Sequence, residues 1–227
     1  MKPWETLART VTPDGSALEL WRHDEDYVIR AAGYDLMTSR QHGSEDAMMA
    51  LACPEPGADA CVLVGGLGMG FTLAATLALL PATAKVVVSE LVPAIVEWNR
   101  GPLAHLAGSA LDDPRTEIAI GDVADVIRRS EGRFDAILLD VDNGPDAPTQ
   151  RGNAWLYGPA GLAAIKRALR PGGALAVWSV RGGANFERPL RVAGFAAATH
   201  AVAAHGRRGP RHVVFVGRTQ SARSGVH

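Results

Sequence analysis

The stretch Cys61-Val62-Leu63-Val64-Gly65-Gly66-Leu67-Gly68-Met69-Gly70 decides the fold. Its first four residues are apolar without a break. A strand with one wet face alternates in polarity; this one does not, so it reads as buried on both faces, as in a parallel sheet covered by helices. The glycines then carry the chain into an apolar helix over 71–80. Glycine lets backbone approach a ligand closely, and the first turn of a helix offers N–H groups with no intrahelical partner. The same residues also suit a plain tight turn. Context favours the ligand: Glu90 ends the next apolar strand, 85–89, 20 residues after Gly70. A carboxylate there can accept from ribose hydroxyls. The rival role for Glu90 is a charge at the helix start before Pro93.

Outward from this unit the pattern repeats. Apolar segments at 117–120, 136–139 and 174–178 alternate with helical patterns at 94–106, 123–129 and 159–169, the last closed by Arg170-Pro171-Gly172-Gly173. A helix at 186–192 precedes two final strands, 195–201 and 212–216. Strands separated by helices, with no internal repeat, predict an α/β Rossmann-like sheet with helices on both faces. Upstream, the chain reads as β to about Thr38, with strand character at 18–21 and 27–30 around the polar turn His23-Asp24-Glu25-Asp26. A helix begins at Ser44, which can cap it, with Glu45 and Asp46 at the positive end of its dipole. Pro54-Glu55-Pro56-Gly57 ends that segment. The expected division is an N-terminal β-hairpin segment over 1–43, a nucleoside-binding domain over 44–218 and a disordered tail over 219–227.

Composition narrows the partners. A net charge of −1 spreads no basic field over the surface, so neither nucleic acid nor an anionic membrane is expected. The one basic cluster, Arg207, Arg208, Arg211 and His212 around Gly209-Pro210, reads as a solvated hairpin turn, with a phosphate contact as the other reading. Cys53 and Cys61 flank a Pro/Gly-rich link and are expected as reduced thiols. No run approaches the roughly 18–20 apolar residues that a membrane span needs. The start, Met1-Lys2-Pro3-Trp4-Glu5, lacks the apolar stretch of a signal peptide, so a cytoplasmic location is expected.

The acids at the strand ends separate an adenosylmethionine-type nucleoside from a dinucleotide. Gly121-Asp122 follows the third strand, where a carboxylate can accept from an adenine amino group; Asp122 can also cap the helix that follows. Asp140 ends the fourth strand, at the carboxyl edge where open α/β sheets bind ligands. With Glu90 on the ribose and Asp122 on the base, Asp140 is free to face the reacting end. The predicted donor site is therefore Gly65, Gly66, Gly68, Gly70, Glu90, Leu91, Asp122, Val123 and Asp140, with space for donor atoms above Gly68.

These residues resemble the spermidine synthase-like (polyamine aminopropyltransferase) branch of the class I S-adenosylmethionine-dependent methyltransferase fold. The resemblance runs through Val62-Leu63-Val64-Gly65-Gly66, Glu90-Leu91-Val92-Pro93, Asp113-Pro114-Arg115-Thr116-Glu117 and Gly121-Asp122. It continues in Phe134-Asp135-Ala136-Ile137-Leu138-Leu139-Asp140, Leu156-Tyr157 and Leu169-Arg170-Pro171-Gly172-Gly173. Thr38-Ser39-Arg40 and Met48 align with the segment that joins the family's β-rich N-terminal part to its core. The resemblance implies a mostly parallel sheet whose last strand is antiparallel. It also implies that Asp140 is the family's proton acceptor. Four other positions depart. The family's glycine-loop aspartate, which holds the amino end of decarboxylated S-adenosylmethionine, falls on Gly68. Its linker glutamine falls on Leu36, its catalytic tyrosine on Glu45 with Asp46 next, and the second aspartate of its Asp-Ser-Ser-Asp-Pro loop on Asn143.

From these departures the expected reaction is methyl transfer from S-adenosylmethionine to a small amine- or hydroxyl-bearing acceptor. Aminopropyl transfer from the decarboxylated donor is the alternative, and nucleoside binding without catalysis a third reading. Asp140 would orient or deprotonate the acceptor. Glu45, Asp46, Asp142 and Asn143 would line an acidic acceptor pocket, although Glu45 and Asp46 equally suit a helix start. Tyr157 is either a substrate contact or a packing residue at a helix entry. The Asn/Asp-Pro-Pro-Tyr/Phe motif of many nucleic-acid base methyltransferases does not follow the fourth strand. Ser179-Val180-Arg181-Gly182 stands where metal-dependent O-methyltransferases carry Asp-Asn. Asp140 and Asp142 alone make a thin hard-cation site, so no metal is expected. The assembly expected is a homodimer.

Overall fold

A strand buried on both faces needs an apolar layer on each side, and the computed structural model supplies two. It describes residues 2–31, 33–141, 145, 153–180, 186–204 and 211–221. The N-terminal part is an antiparallel meander of β1 (Glu5–Val11), β2 (Ala17–His23), β3 (Asp26–Ala31) and β4 (Tyr34–Thr38), paired in that order. Two strands were legible in the sequence; β1 and β4 add a third and a fourth. Neither carries a continuous apolar run: β1 is interrupted by a bulge between Thr6 and Ala8, and β4 leaves Tyr34 and Leu36 exposed. Asp24, at φ 54°, makes the tight β2–β3 turn.

Helix α1 (Gly43–Ala52) leads into a seven-stranded sheet formed by β5 (Cys61–Gly65), β6 (Lys85–Glu90), β7 (Thr116–Ile120), β8 (Phe134–Leu139), β9 (Leu169–Ser179), β10 (Ala196–Ala203) and β11 (Arg211–Arg218). The strand order is β10-β11-β9-β8-β5-β6-β7, with β11 antiparallel to both of its neighbours and β5 to β9 parallel. The expected mostly parallel sheet with an antiparallel last strand is therefore present. Interleaved are α2 (Phe71–Leu79), α3 (Pro93–Arg100), α4 (Val123–Arg128), α5 (Ala154–Tyr157), α6 (Pro159–Ala168) and α7 (Glu187–Val192).

The strand residues divide by parity. Val62, Val64, Val86, Val88, Ala136 and Leu138 join a core with Met48 and Met49 of α1, Leu73 and Leu77 of α2, and Leu18, Leu20 and Ile29 of the meander. Leu63, Val87, Ile137, Leu139, Leu175 and Val177 join a second core with Ile127, Leu162, Ile165 and Leu190. Each side chain therefore has an apolar neighbour whichever face it takes, which is why no polar alternation marks these strands.

Three boundaries differ from the sequence reading. The helix expected over 94–106 stops at Arg100, because Pro102 lacks an N–H and disfavours helical geometry at Gly101. Strand β9 starts at Leu169 and carries Pro171-Gly172-Gly173 as an irregularity, with Gly172 at φ 83°. Thr219 and Gln220, expected in the tail, are hydrogen-bonded to the start of β9. Thr219 Oγ1 donates to the carbonyls of Arg170 and Gly173, and Gly172 N–H donates to Gln220 O. Arg207 and Arg208 of the expected basic turn lie outside the described residues, as do 222–227, whereas Arg211 and His212 stand on β11 and His212 is buried rather than solvated. Among the described residues no helix is long and apolar enough to cross a membrane.

Chain order reverses between β5 and β8, which pair side by side, so their carboxyl ends open the crevice where such sheets bind ligands. Gly66 is the tightest point there. It sits at φ 86°, and a Cβ on it would lie 2.4 Å from the carbonyl oxygen of Asp140. Gly15 has the same φ of 86° with nothing within 4 Å, so it isolates the conformational cost from the collision. We expect Gly15→Ala to cost about 1 kcal/mol and Gly66→Ala about 2–4 kcal/mol in urea unfolding; equal costs would mean that the approach to Asp140 carries no energy.

Candidate active site

The glycine loop is braced from beneath. Leu67 N–H donates to Glu90 Oε2 and Val92 N–H to Glu90 Oε1, both at 2.8 Å. Glu90 is buried; desolvation raises its pKa, while the backbone N–H groups oppose that shift. The N–H groups of Leu91 and Gly68 act on the same carboxylate, so Glu90 is held at the point where the sequence reading puts the ribose diol. Asp122 caps α4, with Oδ1 accepting from Ala124 N–H at 2.8 Å. Val123 packs beside Gly65, where an added Cβ would lie 3.0 Å from Val123 Cγ2. Leu91 is half-buried against the first core.

Above Gly68 the expected space is filled by protein. Gly68 lies at φ 53°, and a Cβ there would meet Met37 Cε at 2.7 Å and Sδ at 2.8 Å. Met69 N–H points at the same sulfur, 3.2 Å away. The sequence gives no sign of this contact, because Met37 arrives from β4. Gly70, at φ 83°, precedes α2 and approaches Asn99, whose Nδ2 donates to Gly68 O and Ile95 O at 2.8 and 2.9 Å. Asn99 Oδ1 is buried without a hydrogen-bond partner in the described structure.

Asp140 continues from β8 with its backbone N–H on Gly65 O, 2.9 Å away, and its Oδ2 accepting from Thr72 Oγ1 at 3.0 Å. Desolvation pushes its pKa up to about 6 against the Thr72 bond, which favours the ionised form. The second acid comes from α1. That helix is pinned at both ends by the β10–β11 pair: Gly43 N–H donates to Ala204 O, and the Arg218 guanidinium donates to the carbonyls of Leu51 and Ala52 at 2.8 Å. Glu45 is thereby held 4% exposed. Burial first, and then the negative charge of Asp140, push its pKa up to about 7; the Ser44 hydroxyl opposes this. Two carboxylates in one desolvated place resist ionising together.

The remaining predicted residues fall elsewhere. Asp46 is exposed and bonds His42 Nδ1 at 2.8 Å, the His42 ring stacking on Phe71 at 4.0 Å. Tyr157 is buried in the second core, edge-on to Phe186 at 5.8 Å, as a packing residue would be. Asp142 and Asn143 lie outside the described residues. Ser44 does not cap α1, since His42 holds the N-cap position; its hydroxyl serves Glu45 instead. Among the described residues no three His, Cys, Asp or Glu side chains gather as a metal-holding group.

A glycine loop braced by one acid, with further acids at the neighbouring strand ends, is the arrangement that the sequence reading expects of a nucleoside site on a Rossmann-like sheet. The family model described as the spermine/spermidine synthase domain matches residues 45–181, more than half of the chain. The chain belongs to the spermine/spermidine synthase family. It is 34% identical over 115 residues to the polyamine aminopropyltransferase of Nitrosomonas europaea, covering 51% of this chain and 34% of that protein. It is 40% identical over 65 residues to the spermine synthase of Arabidopsis thaliana, covering 28% and 17%. The chain thus spans about a third or less of the curated relatives it matches. The crystal structure of spermidine synthase from Thermotoga maritima superposes with a TM-score of 0.73 at 17% identity, over 96% of this chain and 73% of that one. A spermidine synthase in complex with the transition state analogue AdoDATO superposes with a TM-score of 0.72, again at 17% identity and over 96% and 73% of the two chains. At that identity the likeness is one of fold. Methyl transfer, the reaction expected from the sequence, is overturned by the family match and by these relatives. The departures that suggested it touch single side chains and leave the family's scaffold intact.

Two outcomes test the site. Because the folded state holds the Glu45 proton more tightly than the unfolded chain, stability is fully present below pH 4.5 and falls as pH rises to about 7. Glu45→Gln keeps the shape without the charge. It should unfold later in urea than the native chain at alkaline pH, by about 1–3 kcal/mol, with little difference below the ordinary carboxylate range. A stability gain independent of pH would refute this. At the loop, Gly68→Asp should cost about 1–3 kcal/mol, and adding Met37→Ala should recover about 1 kcal/mol through their contact. Strict additivity in that cycle would show that Met37 is not what fills the space.

Proposed function

We propose that the chain transfers an aminopropyl group from decarboxylated S-adenosylmethionine to a small amine. The observation that carries this reading is Asp140, the family's proton-acceptor position, standing beside the glycine loop with Glu45 as a second acid. The amine nitrogen attacks the sulfonium-bound carbon of the donor. A C–N bond forms as the C–S bond breaks, its electron pair passes to sulfur, and a neutral thioether nucleoside leaves. The amine gives up one proton, which Asp140 accepts. The sulfonium needs no activation, so the residues here align the reactants, exclude water and hold that proton. Glu90 would take the ribose diol and Asp122 Oδ2 the adenine amino group, while its Oδ1 keeps the helix cap. The Asp140–Glu45 pair also complements two cationic partners, which favours an amine acceptor over a neutral one.

The test is release of 5′-methylthioadenosine from the decarboxylated donor in the presence of diamines and polyamines. Turnover should require both donor and amine, and S-adenosylmethionine should not replace the donor. Donor binding by calorimetry with no turnover across the amine panel would reduce the chain to a nucleoside-binding protein. Asp140→Asn keeps the Thr72 bond but removes the base, so turnover should fall on the order of 10²-fold or more with donor affinity little changed. In the native chain turnover should rise as pH passes upward through about 6 to about 7, because the acceptor group works when deprotonated.

A further inference from the structure

Behind Glu45 stands a buried polar cluster that the chemistry above does not use. Trp178 Nε1–H donates to Ser44 Oγ at 2.8 Å, His212 Nδ1 lies 2.8 Å from the same oxygen, and the Ser44 hydroxyl bonds Glu45 Oε2. All four residues are less than a tenth exposed. Hydrogen counting constrains them. A serine oxygen has one proton and two lone pairs, and an indole N–H can only donate. Trp178 therefore occupies one lone pair permanently. If His212 carries its ring proton on Nδ1, it occupies the other, and the Ser44 proton is committed to Glu45 Oε2. If the ring proton is on Nε2, Ser44 must donate to His212, and Glu45 can meet Ser44 only as an acid protonated on Oε2. An ionised Glu45 would then face a lone pair across a buried contact, which is costly. The His212 tautomer therefore determines which oxygen of Glu45 can carry a proton.

We propose that His212 is held as the Nδ1–H tautomer, the one that satisfies the cluster whether or not Glu45 is ionised, and through Ser44 keeps Glu45 Oε2 as an acceptor, so that a proton on Glu45 sits on Oε1. His212, Ser44 and Trp178 are then positioning residues. In turnover a proton taken up by Glu45 therefore resides on Oε1, while Ser44 and His212 exchange none. This role in turnover rests on the aminopropyl-transfer reading; the hydrogen-bond arrangement does not. The titratable groups set around Glu45 are Asp140 at the end of β8, His212 on β11 and His42 in the turn before α1. Burial favours the neutral form of His212, which the tautomer requires.

The arrangement is tested without turnover. Long-range ¹⁵N–¹H spectra of the full chain, labelled in histidine, should show the Nδ1–H pattern for His212 on both sides of the Glu45 titration; an Nε2–H pattern on either side overturns the proposal. Ser44→Ala supplies an opposite-sign test through the carboxyl ¹³C shift of Glu45. Losing a donor to the carboxylate should raise the Glu45 midpoint by about one pH unit. Under the other tautomer the variant loses an acceptor for the acid's proton, and the midpoint falls. A fall or no movement refutes the proposal, and the native-chain spectra decide the matter if the variant does not fold. Failure of turnover alone would count against the proposed reaction and leave this arrangement standing.

Discussion

The approach of Gly66 to the Asp140 carbonyl is the constraint on which the site hangs. It fixes the height of the glycine loop against the end of β8, and so the distance between the two halves of the crevice. Once that height is set, Leu67 N–H falls onto Glu90 and Thr72 falls onto Asp140. A side chain at 66 would lift the loop from β8, and each of these bonds would lengthen together. The requirement is steric and local, whereas its consequence is the alignment of two acids, Glu90 and Asp140, drawn from different strands.

Electrostatics then works against folding at the point that steric packing has prepared. Glu45 and Asp140 are both desolvated, and each raises the cost of ionising the other. The structure offsets this with hydrogen bonds from Thr72 to Asp140 and from Ser44 to Glu45. It also clamps α1 through Arg218 and the Ala204 carbonyl, so Glu45 cannot relax toward water. A pair under such pressure holds one proton more readily than none. That is the property the proposed reaction asks of a group that takes a proton from an amine.

What the sequence disclosed and what it concealed follow from the range of the interactions. The sheet was legible because burial on both faces writes itself into consecutive residues, as in Cys61-Val62-Leu63-Val64. Glu90, Asp122 and Asp140 were legible because strand ends in this topology point to one edge. By contrast, Met37 over Gly68 spans two separate sheets, and Ser44 meets Trp178 and His212 across 134 and 168 residues of sequence. No periodicity records such contacts. Ser44 was read as a cap because local chemistry is all that a serine before two acids displays. The helix over 94–106 ran too long because apolar spacing was followed past Gly101-Pro102, where backbone geometry overrides it.

The misreading of the reaction has the same origin. Gly68, Leu36 and Glu45 were weighed one by one as losses of an aspartate, a glutamine and a tyrosine. In the folded chain they are parts of two local replacements. Gly68 carries no side chain where Met37, one residue after Leu36, brings a thioether over the loop from β4. Where the resemblance implies a tyrosine, Glu45 offers a carboxyl group whose pKa burial and Asp140 push up to about 7. A protonated carboxyl, like a phenol, presents a neutral O–H. In its protonated form a glutamate in that place therefore offers the same kind of donor, provided that the surroundings hold the proton. Those surroundings are the desolvation of the site and the charge of Asp140, and against them Ser44, itself held by Trp178 and His212, donates to Glu45 Oε2.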